Sequence, residues 1–390
     1  MIPMQEIVAL RDQWQLRTDV IEKDWALGWI LAGISQHREL DSWIFKGGTC
    51  LRKCYYETYR FSEDLDFTVL PEEPIEPARI VAIFREIAVW LNDEAGLELE
   101  ITDDSFRERR NLRGTPTAQG RIAYRGPSNP PQLPKLKVDL TADERIVQRP
   151  VARAIVHPYS DAYRNPARIA CYSIVDLLAE KLRALAQRCR PRDLYDVVYL
   201  FRHPDLLGKA REVSASLHGK CEHVGIEPPT LDSIHATPFR AEIESEWANM
   251  LAHQLPSLPP FEQFWATLDE VFGWLGGTVA LPTLPRAEFG AMDADWRAPA
   301  TMTRWRGRAP LELVRFAGAN RLKVVIDYRP PTGRQGPRTV EPYSFRRTRD
   351  GHTVLFLVND QGGLRSYRTD RIVGVTVTRE PFRPRFRVEF

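Results

Sequence analysis

The sequence predicts an α/β fold, α+β in its layout. It combines a small mixed or antiparallel sheet, a helical continuation and a separate, small, all-β barrel-like module at the C-terminal end. Three observations predict this. Over residues 1–280, short strand patterns are interspersed with amphipathic stretches at helical spacing. Residues 281–308 are rich in Pro and Ala without durable periodicity, which marks a linker. Residues 309–390 change to short runs, RLKVVIDYR, TVLFLV, LRSYR, IVGVTV and RFRVEF, set between Gly and Pro turns. At 390 residues the chain exceeds one ordinary core of about 100 to 200 residues, so a multidomain enzyme is admitted.

The elements follow in order. Trp25, Gly28, Trp29 and Ala32 recur at helical spacing within the first 40 residues, and WIFKGGTCLRKCYYETYRFSEDLDFTVL reads as short strand, glycine turn, helix and strand. Pro71 to Pro77 breaks the pattern before RIVAIFREIAVWLNDEAG resumes as an amphipathic helix. A Gly/Pro-rich excursion from Gly114 to Pro134 leads into the alternating strand KLKVDLTA. Two or more helices fall between Ser173 and Leu217, and Trp-bearing helical segments continue to Gly277.

The 43% hydrophobic and 27% charged shares read as globular, and no apolar run reaches the ~18 residues a membrane span needs, so no membrane partner is expected. The start, MIPMQEIVALRDQW, lacks a secretory signal's apolar core and predicts a cytoplasmic protein. Five cysteines without a C-x-x-C pair argue against a disulfide framework. Cys50 and Cys54 have the spacing to share a metal, but without a nearby His or further Cys they read as small packing residues. Net charge is only +2, yet residues 301–390 hold 19 Lys plus Arg against 8 Asp plus Glu, so a +11 tail follows a −9 body. That asymmetry suggests an anionic partner for the tail, although arginines on solvated strands would give the same count.

Four places carry candidate chemistry. Lys46, Gly47, Gly48 and Thr49 lie between a strand end and a helix start, where glycines let backbone approach a phosphate; the same residues also make a plain connection. In Arg60-Phe61-Ser62-Glu63-Asp64-Leu65-Asp66-Phe67-Thr68-Val69, alternation puts Asp64, Asp66 and Thr68 on one face. Paired carboxylates repel unless they share a cation, and hard oxygens suit Mg2+ or Mn2+. Asp139, on KLKVDL with Lys137, is placed to be a third carboxylate from a second strand, able to take a proton from an acceptor hydroxyl. In the helix from Ile174 to Leu185, Ile174, Leu178, Lys181 and Leu185 form one stripe while Glu180 and Arg183 face away. Lys181 must therefore snorkel or be paired, and a triphosphate is a suitable partner. Pro191 restarts a helix whose first-turn position accounts for Asp193 better than for Asp196.

KGGTCLRKCYY, RFSEDLDF, KVDL and the lysine helix followed by RDLYDVVYL together resemble the AbiEii/AbiGii toxin family over roughly residues 20 to 280. The resemblance implies a DNA polymerase beta-like nucleotidyltransferase that moves NMP from an NTP to an RNA (tRNA included) or protein acceptor. Such a protein arrests growth in a toxin–antitoxin or phage-defence system and is paired with a cognate antitoxin. It implies that Lys46, Gly47, Gly48, Thr49 and Ser62 hold the nucleotide, that Asp64, Asp66 and Asp139 bind metal, that Lys181 contacts the nucleotide and that Asp196 is catalytic. The tail, through VVIDYRPPTGRQGPRTVEPYSF, HTVLFLVND and LRSYRTDRIVGV, resembles WYL domains over residues 311–383, with Leu355-Phe356-Leu357 where the name-giving triplet falls. Its Tyr328, Arg338, Arg365, Tyr367 and Arg371 form an Arg/aromatic set able to grip a nucleic acid or nucleotide-like ligand. The other reading is a non-enzymatic regulator that binds nucleotide and nucleic acid.

Overall fold

A computed structural model describes residues 1–70, 74–111, 113–163, 166–236, 239–280, 283–288, 290–298 and 309–390. Two compact units result, the first formed by Met1–Val8 with Arg17–Arg240 and the second by Ala9–Leu16 with Ala241–Phe390.

Helices α1 (Met4–Trp14) and α2 (Thr18–Gln36) open the chain, and α2 buries the predicted stripe of Trp25, Trp29 and Ala32. Strand β1 (Trp43–Lys46) turns through the short helix α3 (Gly47–Cys50) and a π turn (Leu51–Tyr55) into β2 (Asp64–Val69). Helix α4 (Pro77–Ala95) follows, starting on a proline and ending at the left-handed Gly96, as its sequence demands. Strands β3 (Glu98–Glu100), β4 (Phe106–Arg110), β5 (Pro116–Arg125), β6 (Lys135–Thr141), β7 (Val151–Ala154) and β8 (Arg168–Cys171) complete an eight-stranded sheet. Its order is β3-β5-β6-β2-β1-β8-β7, with β4 on β5. It is mixed: β1 runs antiparallel to β2, whereas β6 is parallel to β2 and β8 to β1.

One face of this sheet is apolar. Phe67 packs 5.3 Å from Trp43 and 5.1 Å from Phe45, and Phe84 of α4 covers them. Burying rings of this size contributes about 1.5–3 kcal/mol each, which commits the face to the core and leaves the opposite face for polar side chains. Helices α5 (Ile174–Arg188), α6 (Pro191–Phe201), α7 (Ala210–Val224) and α8 (Leu231–His235) finish the unit. Ser173 caps α5 by accepting the amide of Asp176.

In the second unit, α9 (Phe239–Leu251), α10 (Phe261–Ala266) and α11 (Leu268–Leu275) pack Trp247 against Phe261 and Phe264. Helix α12 (Leu311–Ala319) precedes β9 (Leu322–Tyr328), β10 (Gly336–Arg347), β11 (Thr353–Asn359), β12 (Leu364–Arg368) and β13 (Ile372–Pro381). These strands form a separate antiparallel sheet in the order β12-β11-β10-β9-β13, an open path among the described residues rather than a closed barrel. Its curvature still brings Tyr328 of β9 within 4.2 Å of Tyr367 of β12, although two strands separate them. Leu355, Phe356 and Leu357 are fully buried core residues of β11.

Of the expected linker, residues 281–282, 289 and 299–308 lie outside the described residues. Its described part lies along this sheet: Ala287 is buried with Val354 and Phe356, and the Asp293 amide donates to the Arg347 carbonyl at 2.8 Å. Two expectations are corrected. RFRVEF is not a strand, although its Glu389 bridges Ser344. GPRTVEPYSFRR, not expected as a strand, is β10, whose register shifts between Pro342 and Ser344; proline forces that bulge.

Candidate active site

The polar face of the first sheet assembles the predicted acids. Asp66 stands in register with Lys46 of β1 on one side and with Asp139 of β6 on the other, and Asp64 stands opposite Lys137. Two-residue alternation therefore puts Asp64, Asp66 and Asp139 on one surface. Their oxygens do not all come within 4.8 Å of one another. Burial lifts the Asp66 pKa to about 6; Asp139 and Asp64 add to this, while Lys46 and Lys181 oppose it. Asp64 is raised as well, again chiefly by burial. Asp139 is held from both sides, by Gln119 Nε2 at 3.0 Å and by the ammonium of Lys137. Crowded, partly dehydrated carboxylates of this kind are a donor set for a hard divalent cation.

The glycine turn is built onto these acids. Gly47 has φ +78°, and a Cβ there would lie 2.3 Å from Asp66 Oδ2; one on Gly48 would lie 2.9 Å from Ser62 Oγ. Thr49 donates its hydroxyl to the Asp64 carbonyl at 2.5 Å, tying turn to strand. Lys46 is buried with Nζ 3.3 Å from Glu180 and 3.6 Å from Glu144, and these acids outweigh its burial and push its pKa up. Glu180 is correspondingly lowered to about 2, against its burial, chiefly by Lys46 and Lys220. This corrects the expectation that Glu180 and Arg183 face away: both are largely buried, and Arg183 pairs with Glu144 at 2.9 Å. Helix α5 is enclosed nearly all round, so its charged positions pair with one another instead of with water.

Lys181 lies on the buried stripe as expected, with Nζ 2.7 Å from Asp196 and 3.6 Å from Asp193. Asp196 is fully buried and also accepts two bonds from Arg60, Nε at 2.7 Å and Nη2 at 2.8 Å. Burial opposes its charge, yet Arg60 and Lys181 hold its pKa well below the usual carboxylate range. Asp193 is occupied by Arg188 at 2.9 and 3.0 Å.

Sequence reasoning missed Arg60 as a site residue. Its acid partner lies 136 residues away, and no local spacing signals such a pair. It also missed the buried cluster in which Asp24 accepts from Arg52 at 2.8 Å, Lys53 at 2.7 Å and Tyr159 at 2.8 Å. A further unpredicted feature is a basic strip. Exposed Arg107 pairs in register with Gln119, which pairs with Asp139; exposed Arg121 pairs with Lys137, which pairs with Asp64. Arg109 lies two residues from Arg107 on the same face, so cations run from the acids across β6 and β5 to β4.

In the C-terminal sheet, Tyr328 and Tyr367 stack at an interplanar angle of 13°, with the Arg338 guanidinium 5.9 and 5.7 Å from their ring centres. Arg365 is exposed on the same side of β12 as Tyr367, and Arg371 ends the 3-10 turn before β13. Both rings are largely buried against each other, so what this set presents outward is mainly guanidinium.

The strand carboxylates and the glycine turn packed against Asp66 lie within a stretch matched by a nucleotidyltransferase family, which sets the class of the protein. The profile of the AbiEii toxin family, nucleotidyl transferases of type IV toxin–antitoxin systems, matches residues 29–270, and the chain belongs to that family. The WYL domain profile matches residues 310–377. Among solved structures the chain is similar to MenT4, a nucleotidyltransferase toxin from Mycobacterium tuberculosis, at 21% identity over 67% of this chain and 94% of that one, with TM-score 0.40. It is also similar to the proteasome accessory factor PafBC of Arthrobacter aurescens, at 18% identity over 54% of this chain and 32% of that one, with TM-score 0.18. No curated protein matches. Among the described residues no helix is long and apolar enough to cross a membrane.

Proposed function

We propose that this chain transfers NMP from an NTP to an RNA acceptor and acts as the growth-arresting toxin of a pair with a cognate antitoxin. The observation that carries this reading is the register that sets Lys46, Asp66 and Asp139 side by side on three adjacent strands, one residue from the Gly47 turn. Asp64, Asp66 and Asp139 would hold a divalent cation, Mg2+ or Mn2+, which neutralises phosphate charge when bound. The Gly47-Gly48-Thr49 turn with Ser62 takes the triphosphate, and Lys46 and Lys181 offset its charge. Asp139, in register with Gln119, whose other neighbour is Arg107 of the strip, takes the proton of the attacking hydroxyl. The bond from acceptor oxygen to α-phosphorus forms as the bond to pyrophosphate breaks.

Asp196 is a positioning residue in this scheme. It is buried beneath Arg60 and Lys181 and serves to aim the lysine. The basic strip favours RNA over a protein hydroxyl, because Arg107, Arg109, Arg121 and Lys137 offer a phosphate backbone successive contacts beside the acids. The C-terminal Arg338, Arg365 and Arg371, set around Tyr328 and Tyr367, bind a nucleic acid or nucleotide-like anion.

The test is incubation of the full chain with each of four labelled NTPs, Mg2+ or Mn2+, and whole-cell RNA and protein. Label on RNA with release of pyrophosphate, both lost in Asp64→Asn, is the expected outcome. Label on protein alone would overturn the acceptor assignment, and metal-dependent nucleotide binding without pyrophosphate release would favour a regulator.

A further inference from the structure

Three thiols with no part in the transfer scheme converge behind the nucleotide turn. Cys50 directly follows Thr49, Cys54 lies four residues on in the π turn, and Cys171 comes from β8, where it pairs in register with Phe45 of β1. Their sulfurs all lie within 4.8 Å of one another, and the residues are 0%, 4% and 0% exposed. Among the described residues no other group of His, Cys, Asp or Glu ligand atoms is gathered so closely. The remaining cysteines, Cys189 and Cys221, are buried outside this group.

One cation borders the three thiols: Arg153 donates Nε to the Cys54 carbonyl at 2.7 Å, and its guanidinium lies 4.2 Å from the Tyr55 ring centre. The Tyr55 hydroxyl stands 4.0 Å from Cys171 Sγ. Sulfurs that share one zinc at about 2.3 Å stand about 3.8 Å apart, a spacing within the observed limit of 4.8 Å. A disulfide would join only two of the three and needs about 2.05 Å.

We propose that Cys50, Cys54 and Cys171 form a structural site for one thiophilic cation, Zn2+ or Cu+, that fastens the nucleotide turn to β8. Uptake replaces three S–H bonds by three metal–sulfur bonds and releases three protons, with no electron transferred. With three thiolates a divalent ion carries one net negative charge, which Arg153 offsets, but zinc takes a fourth donor as well; a Cu+ complex would carry two negative charges and needs no fourth donor. Soft thiolates also separate this site from the carboxylate centre, which takes hard cations. The cation would close the end of the short helix that starts at Gly47, holding the turn against strand β8 from its inner side.

The experiment uses the full chain, reduced and stripped of metal, titrated separately with Co2+ as the spectroscopic probe for zinc and with Cu+ held by a competing chelator. One equivalent should produce thiolate-to-metal charge-transfer absorption, and the ion that survives chelator competition identifies the occupant. Cys171→Ser should weaken uptake at least a hundredfold, whereas Cys189→Ser should leave it unchanged. Should Cys171→Ser fail to fold, alkylation of the wild type decides the matter: bound metal should protect Cys50, Cys54 and Cys171 under partial unfolding, with Cys189 and Cys221 reacting as before. Absence of charge-transfer absorption with both ions in folded protein, a band that survives Cys171→Ser in a folded variant, or protection that spares none of the three thiols would each overturn the proposal. So would a disulfide within the trio in protein that takes up no metal.

Discussion

A Cβ on Gly47 would lie 2.3 Å from Oδ2 of Asp66, closer than any side chain tolerates. The Gly47 turn and strand β2 thus pack backbone against carboxylate, and only glycine permits it at φ +78°. Gly47→Ala should cost about 1–2 kcal/mol for the left-handed backbone alone, with the clash added, and should displace Asp66. A lower melting temperature together with lost transfer is expected. A variant that keeps wild-type turnover would show that the approach is not needed for chemistry.

Asp66 makes stability depend on pH with a definite sign. Its folded pKa is raised to about 6 from 3.8, so between those values the native state binds more protons than the unfolded chain. Stability from this group is therefore full below about pH 3.8 and falls as pH rises to about 6, a loss on the order of 3 kcal/mol. In metal-free protein at neutral pH, Asp66→Asn should melt higher than wild type while transfer is abolished. Divalent metal should raise the melting point of the wild type and leave the variant nearly unmoved.

The sequence made the acids legible because alternation on a strand is a local property: Asp64 and Asp66 had to share a face, and Asp139 had to share one with Lys137. It could not show that β6 lies parallel beside β2 with Asp139 against Asp66, since register between distant strands is settled by packing. Strand β5 was hidden in a stretch that reads as loop. Its Gly120 is there because Phe106 leaves no room for a Cβ, which would lie 2.4 Å from the ring. RFRVEF misled in the opposite way. Phe386, Val388 and Phe390 do alternate inward, and Phe386, Val388 and Phe390 pack on the C-terminal core, but one-sided burial does not require strand pairing. The buried partners of Lys181 were invisible for the reason that made the lysine conspicuous: the stripe shows that a partner is needed, not which.

Lys181 and Asp196 should separate by their effects. Lys181→Met leaves Asp196 bonded twice to Arg60, so the fold should hold while NTP binding weakens and turnover falls. Asp196→Asn strips the countercharge from Arg60 and Lys181 together, which costs about 3–5 kcal/mol for a buried network. Chemical denaturation of both variants checks this. Equal stability losses would remove the distinction between nucleotide contact and positioning residue, and unchanged turnover in Lys181→Met would return it to a structural role.

The strip on β4 to β6 predicts acceptor effects without nucleotide effects. Arg107→Ala and Arg121→Ala should each weaken RNA binding about equally across sequences and reduce the dependence of log affinity on log salt by about 1. Nucleotide binding should stay unchanged, because neither arginine contacts the glycine turn in the sheet register. A raised NTP KM in either variant would argue against an acceptor path.

The tail's +11 charge is mostly arginine, which favours bidentate contact with phosphate over diffuse attraction. Arg338 sits beside the Tyr328–Tyr367 stack, where the rings hold its guanidinium in place, and the buried triplet at Leu355, Phe356 and Leu357 leaves the gripping to such cations. Arg338→Ala combined with Arg371→Ala in the full chain should weaken binding of an oligonucleotide or nucleotide-like anion, with the loss largest at low salt. Asp64→Asn should leave that binding unchanged, because its carboxylate belongs to the other sheet. Because the two mutations sit in a separate sheet from the acids, NTP affinity at the glycine turn should also be unmoved, and any change in transfer should take the form of altered acceptor choice or regulation. Fluorescence anisotropy across a salt series reads the first effect and pyrophosphate release the second. Binding that is insensitive to both salt and the double substitution would leave the tail's charge as solvated surface.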